Sequence, residues 1–256
     1  MTGQPSSWRV TLLIAVAAAA TAVAFSIPPI PQNPAYHRFA DQRTMLGIPN
    51  AFNVLSNVGF VAVGALGLRR LARAGPGRER PAFLILFTSV ALTGAGSAYY
   101  HVAPSSATLF WDRLPMAVAF ASLTALTLGE RVSPRAGPSL LAALVVISVA
   151  SVVSWRLGES AGAGDLRLYG LVQFLPMVLI PLALALFPMR WLRAGDLVGV
   201  LGWYAASKLL EALDAPIFAL AGVVSGHTLK HLAAATAAAW LLRVARAWQA
   251  AGKLNA

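Results

Sequence analysis

Eight long apolar stretches, parted by short polar connectors, restrict what this chain can fold into. They run over residues 8–27, 51–69, 82–101, 114–129, 138–155, 168–188, 196–214 and 225–245. Each reaches, or nearly reaches, the roughly 20 residues that a helix needs to cross a bilayer core. Charged residues are only 11% of the chain, where a soluble domain carries about a quarter. The expected fold is therefore all-α: a polytopic membrane helix bundle with a seven-helix core and one additional N-terminal helix. Little chain remains for a soluble domain.

The segments divide into four parts. Residues 1–27 form an N-terminal transmembrane helix or signal anchor; a cleaved signal peptide is the other reading, but no clean small-residue cleavage site follows, so a retained helix is expected. Residues 28–50 form a loop, because Pro28, Pro29, Pro31, Pro34 and Pro49 forbid a continuous helix. Residues 51–246 are the seven-transmembrane core, and 247–256 a cytoplasmic tail.

A net charge of +11 suggests nucleic acid only until the arginines are placed. Arg69, Arg70, Arg73, Arg78 and Arg80 crowd one connector, Arg131 and Arg135 another, Arg190 and Arg193 a third, and Arg243, Arg246 and Lys253 close the chain. The connectors between these are uncharged or balanced, as 156–167 is, with Arg156 and Arg167 against Glu159 and Asp165. This alternation is the positive-inside pattern of a membrane protein. It puts the Arg-rich loops and both termini in the cytoplasm and excludes a nucleic-acid partner. There are no cysteines, so a metal site must be built from His, Asp, Glu and water.

Two of only four histidines, His227 and His231, are spaced i,i+4 at the start of the last apolar stretch. That spacing puts both rings on one helix face. His101 closes the third apolar stretch, with Ser97 one turn before it. The predicted topology brings all three histidines to a similar depth towards the outer face, and Asp112 joins them at the head of the next helix. Three imidazoles with one open position are a standard catalytic zinc arrangement. A lone membrane histidine is more often a hydrogen-bonding residue; three of four at one depth favour a metal, read here as zinc (Zn2+). Such an ion polarises a carbonyl and brings the pKa of its water to about 7. Asp112 has two readings, the N-cap of a helix with Pro115 just inside it, or a general base beside the metal. Ser97 is either a small packing residue or an oxyanion donor.

Lys208 and Glu211, spaced i,i+3, are expected to neutralise each other. Glu211 or Asp214 has a second reading as the carboxylate that orients a zinc-bound histidine. Lys230 is expected to snorkel to the outer headgroups. Tyr99, Tyr100, Trp111 and Trp203 read as interface or packing aromatics.

The set Ser97-x-x-x-His101, Asp112 and His227-x-x-x-His231 resembles the superfamily of alkaline ceramidases, adiponectin/progestin-type receptors and GPI-anchor lipid-remodelling proteins. Asn53-Val-Leu-Ser56-Asn57, at the opening of the first core helix, is most similar to the alkaline ceramidase branch. The likeness spans about residues 40–245. It implies zinc on His101, His227 and His231, with Ser97 and Asp112 at the catalytic centre. The implied activity is zinc-dependent hydrolysis of the amide of ceramide or a similar N-acyl lipid, drawn from the bilayer, to a free fatty acid and a sphingoid-type amine. Other readings are a seven-helix lipid-binding receptor or sensor with a structural zinc, and a transporter or haem-binding bundle. Eukaryotic relatives carry an acidic calcium site before the Asn-x-x-Ser-Asn element. Here Asp41 is the sole carboxylate of that stretch and Asn50 stands where another is expected, so no calcium site is expected. The Arg- and Ala-rich composition points to a bacterial inner membrane, with the site on the periplasmic side and the C-terminus in the cytoplasm.

Overall fold

The computed structural model describes residues 7–254; the outermost parts of the expected N-terminal segment and tail, 1–6 and 255–256, lie outside them. The described residues form an all-α membrane bundle. Its helices are α1 (Ser7–Ser26), α2 (Ala51–Leu55), α3 (Val58–Ala72), α4 (Arg80–Val102), α5 (Ser106–Arg131), α6 (Ala136–Ser160), α7 (Arg167–Leu186), α8 (Ala194–Ala212), α9 (Asp214–Ala221) and α10 (Gly226–Leu254).

Among the described residues, six spans are long and apolar enough to cross a membrane, with α2 and α3 counted as one. The pair α9 and α10, bent by 111°, makes a seventh. Helix α8 falls outside that set because it carries Asp196, Lys208 and Glu211. It nevertheless completes the bundle, packed along α10. The first core segment is broken at Ser56–Asn57, between α2 and α3.

Local chemistry fixes the helix ends that matter for function. Pro81 sits in the first turn of α4, where a missing N–H costs nothing. Pro104 disfavours helical backbone at Ala103, and α4 stops at Val102. Ser105 then caps α5: its Oγ accepts from Thr108 N at 3.2 Å, while Ser105 N donates to Thr108 Oγ1 at 3.1 Å. Asp112 is therefore not the N-cap of this helix. It lies nearly two turns inside α5, and Pro115 is an interior proline.

In hydrocarbon, helices associate through close packing and polar contacts rather than through burial from water. Two glycines mark where backbones meet. A Cβ on Gly96 of α4 would overlap the carbonyl of Trp111 on α5, and one on Gly226 would overlap the Leu210 carbonyl of α8 and meet Asp214 Cα at 2.7 Å. The first approach brings Ser97 beside Asp112; the second sets the head of α10 against α8 and α9. A second layer of aromatic and aliphatic side chains, with Phe83, Phe87, Leu126, Leu197 and Val244 fully or almost fully buried, fills the bundle.

The two ends of the bundle differ. At one end the Arg-rich connectors are tied together. Glu130 Oε1 accepts from the backbone N–H groups of Arg190, Trp191 and Leu192, Glu130 pairs with Arg131 at 2.9 Å, and Trp248 Nε1 donates to Glu79 at 3.0 Å. At the other end the Pro-rich segment 28–50, with one 3-10 turn at Pro34–His37, folds down over the connectors. Leu166 N donates to the Ile30 carbonyl at 2.8 Å, and Arg43 Nη2 to the Val223 carbonyl at 2.7 Å. The N-terminal helix α1 lies against α7 and is mostly exposed, Leu13 packing on Ala183 and Phe187.

Candidate metal centre

His101 comes from the end of α4, and His227 and His231 from the first two turns of α10. All three are buried. Their ring centroids form a nearly equilateral triangle, 4.9 Å, 4.8 Å and 4.9 Å on its sides. One ligating nitrogen from each lies within 4.8 Å of the others. His101 Nε2 and His231 Nε2 are 3.2 Å apart. In a tetrahedral site with Zn–N bonds of about 2.0–2.1 Å, ligand nitrogens are about 3.3–3.4 Å apart. The donor set and the spacing of this pair therefore fit such an ion.

The surroundings orient these rings. His231 Nδ1 is 2.8 Å from Ser56 Oγ, and that hydroxyl donates to the Asn53 carbonyl at 3.1 Å. With its own proton engaged, the hydroxyl accepts from His231 Nδ1–H, which leaves the Nε2 lone pair facing His101. Thr228 Oγ1 donates to Asn53 Oδ1 at 2.8 Å, which ties α2 to the head of α10. Asp214 accepts from the backbone N–H of His227 at 2.7 Å through one oxygen and from Ala40 N at 2.9 Å through the other. It caps the start of α10 and pins the 28–50 segment; it does not reach an imidazole ring. Phe39 of that segment packs over both His101 and His227, each ring centroid 4.6 Å away, and closes the site from above. Asn50 Nδ2 donates to the His101 carbonyl at 2.8 Å. His101 Nδ1 is buried without a partner.

The residues picked out with the histidines converge on one cavity of about 590 Å³. Ser97, Asp112 and His231 line it, and the side chains of Ser97 and Asp112 meet. Glu211 joins Lys208, at 2.8 Å, and also Lys230, and accepts from the Tyr36 hydroxyl at 3.3 Å. Lys230 does not reach outward to headgroups. The opposing carboxylate on α8 draws it into the cavity, where its Nζ lies 3.5 Å from His227 Nε2. Away from these groups the wall turns apolar, through Met116, Phe174, Leu175 and Val178, and reaches Ala20 and Ala24 of α1. Tyr99 and Trp111 are exposed on the bundle surface, whereas Tyr100 is buried with its hydroxyl 3.0 Å from His37 Nδ1.

Both oxygens of Asp41 are held by Arg43, at 2.8 Å from Nε and 2.7 Å from Nη2. The arginine thus stands where a calcium ligand set would need free carboxylate oxygens.

Sequence reasoning passed over Ser56, Phe39, Arg113 and the inward turn of Lys230. Ser56 had a signal, since it belongs to the Asn-x-x-Ser-Asn element, but its contact with His231 crosses 175 positions of sequence.

A family model described as Ceramidase matches residues 45–172, half of the chain. The matched stretch contains the Asn-x-x-Ser-Asn element, Ser97, His101 and Asp112, and ends before His227 and His231. No curated protein matches the chain.

Proposed function

The chain belongs to the ceramidase family, and from that premise we propose that it is an integral-membrane, zinc-dependent amidohydrolase. Its substrate would be ceramide or a similar N-acyl lipid, and its products a free fatty acid and a sphingoid-type amine. The observation that carries this reading is the cluster of three buried imidazoles, one of which, His231, faces the same cavity as Ser97 and Asp112, a cavity polar at that end and apolar beyond it.

His101, His227 and His231 would hold the zinc, which supplies Lewis-acid polarisation of the amide carbonyl and activation of water. The chain's own groups do the rest. Asp112, inside the membrane zone and beside Ser97, is placed to take a proton from water and return it to the leaving amine. Ser97, one turn from His101, offers a hydroxyl to the oxygen that gains charge as the carbonyl is attacked. The apolar wall formed by Phe174, Leu175, Val178 and the small residues of α1 accommodates an acyl chain. Phe39 and the 28–50 segment exclude bulk water from the histidines.

The gathering of the Arg-rich connectors at the end opposite the histidines supports a periplasmic site and a cytoplasmic C-terminus in a bacterial inner membrane. The test is fatty-acid release from a labelled ceramide by purified protein, alongside zinc content. His231→Ala is expected to lose both; full activity in that variant would refute the assignment. Lipid binding without release would point to a receptor instead.

A further inference from the structure

Arg113 follows Asp112 on α5 and is 5% exposed. Its guanidinium lies against three aromatic faces, 4.3 Å from the Trp155 ring centroid, 4.8 Å from Tyr169 and 5.5 Å from Tyr36. These hold the group flat but accept little of its hydrogen bonding. Among the described residues it has no ion-pair partner and no hydrogen-bond acceptor, and Nη1 is buried and orphaned. The side chain lines the same cavity as Ser97, Asp112 and His231.

The other cations of that wall each have a carboxylate partner. Lys208 and Lys230 share Glu211, and Arg167 pairs with Asp165 at 2.8 Å. Asp112 feels the charge of Arg113 but forms no ion pair with it; its side chain meets Ser97. An arginine buried in a membrane protein with no carboxylate hydrogen-bonded to its fork is costly, and such groups mark function. Its planar fork suits a carboxylate or phosphate bound through two N–H groups.

Resting on the amidohydrolase reading, but with an acidic amine in place of its sphingoid-type one, we propose that the preferred substrate is an N-acyl lipid whose amine portion carries an anionic group, with Arg113 as the residue that binds it. Asp112 is the proton donor to the leaving nitrogen, and Arg113 is the next residue along the same helix. A carboxylate one or two carbons from that nitrogen, as in an N-acyl amino acid, completes the unanswered guanidinium while the acyl chain lies along the apolar wall. The amide C–N bond breaks, water supplies the hydroxyl of the fatty acid, and the amine leaves with the proton returned by Asp112.

The experiment compares N-palmitoylglycine with its neutral methyl ester, by fatty-acid release and by thermal stabilisation of the zinc-loaded protein in detergent. In the wild type the acid is expected to be favoured over the ester on the order of tenfold to a hundredfold in kcat/KM, and to stabilise more. Arg113→Gln should bring that ratio close to one, and Arg113→Lys should hold an intermediate value. Equal handling of acid and ester by the wild type, or a ratio unchanged in both variants, overturns the proposal. The wild-type comparison needs no variant to fold. Stabilisation by free palmitate equal to that by N-palmitoylglycine would put the anion on the acyl side and also overturn it. If neither lipid is cleaved but the acid alone stabilises through Arg113, the amidohydrolase reading fails and the anion site stands. Hydrolysis of ceramide with no preference for the acid leaves the reverse.

Discussion

Ser56→Ala removes one hydroxyl that touches no substrate, yet it should weaken the metal centre. In the structure this hydroxyl is buried, lies 2.8 Å from His231 Nδ1 and passes its own proton to the Asn53 carbonyl. Without it, a buried imidazole N–H has no acceptor, which costs about 1–3 kcal/mol. The ring is also free to rotate its Nε2 away from His101. A loss of about 2 kcal/mol is close to a thirtyfold change in an equilibrium constant. Outer partners of metal-bound histidines are worth about 10–100-fold in affinity or activity, so two independent arguments meet at the same size. The assay is zinc competition against a chelator of known affinity, with kcat/KM for lipid hydrolysis measured on the same preparation. Both should fall by about one to two orders of magnitude, and Ser56→Thr, which keeps the hydroxyl, should recover most of the loss. A zinc affinity for Ser56→Ala within twofold of wild type would show that His231 is not oriented in this way.

Asp112→Asn should keep its zinc and lose about 10²–10⁴-fold in kcat, because the amide neither takes nor returns a proton; hydrolysis at the wild-type rate would remove Asp112 from the mechanism. Gly96→Leu puts a side chain where the Trp111 carbonyl passes. It should cost about 1–3 kcal/mol of stability and separate Ser97 from Asp112, read as a lower melting temperature with reduced activity. His37 is held below the ordinary histidine value, first by burial and then by the charge of Arg113. Its neutral form is therefore the one that the folded 28–50 segment accepts, and that contribution is intact above about pH 6.5 and lost as pH falls through the lower folded value. Protease cleavage within 28–50 should rise as pH is lowered from 7 to 5, and His37→Gln should flatten the rise.

Much of this architecture was legible because membrane helices declare themselves by length and apolarity. The three histidines were legible because i,i+4 spacing and predicted depth both point inward. What was hidden depends on neighbours that sequence does not reveal. Asp112 reads as an N-cap only while the uncharged stretch 102–111 is taken for a loop; Ser105 and Thr108 start the helix earlier and move Asp112 into its interior. Lys230 near the end of an apolar helix reads as a headgroup anchor, until Glu211 on α8 offers a closer partner than water. Asp214, considered as an orienting carboxylate, spends both oxygens on backbone N–H groups. The cage around Arg113 is assembled from α6, α7 and the 28–50 segment, and no local pattern announces it.

The most direct measurement is X-ray absorption at the zinc edge, with elemental analysis, on purified wild-type, His101→Ala, His227→Ala and His231→Ala proteins. The wild type should hold one zinc per chain in a first shell of three imidazole nitrogens at about 2.0–2.1 Å, and each alanine variant should lose it. Zinc retained stoichiometrically after removal of any one of these histidines, or a wild-type shell without imidazole, would contradict the account.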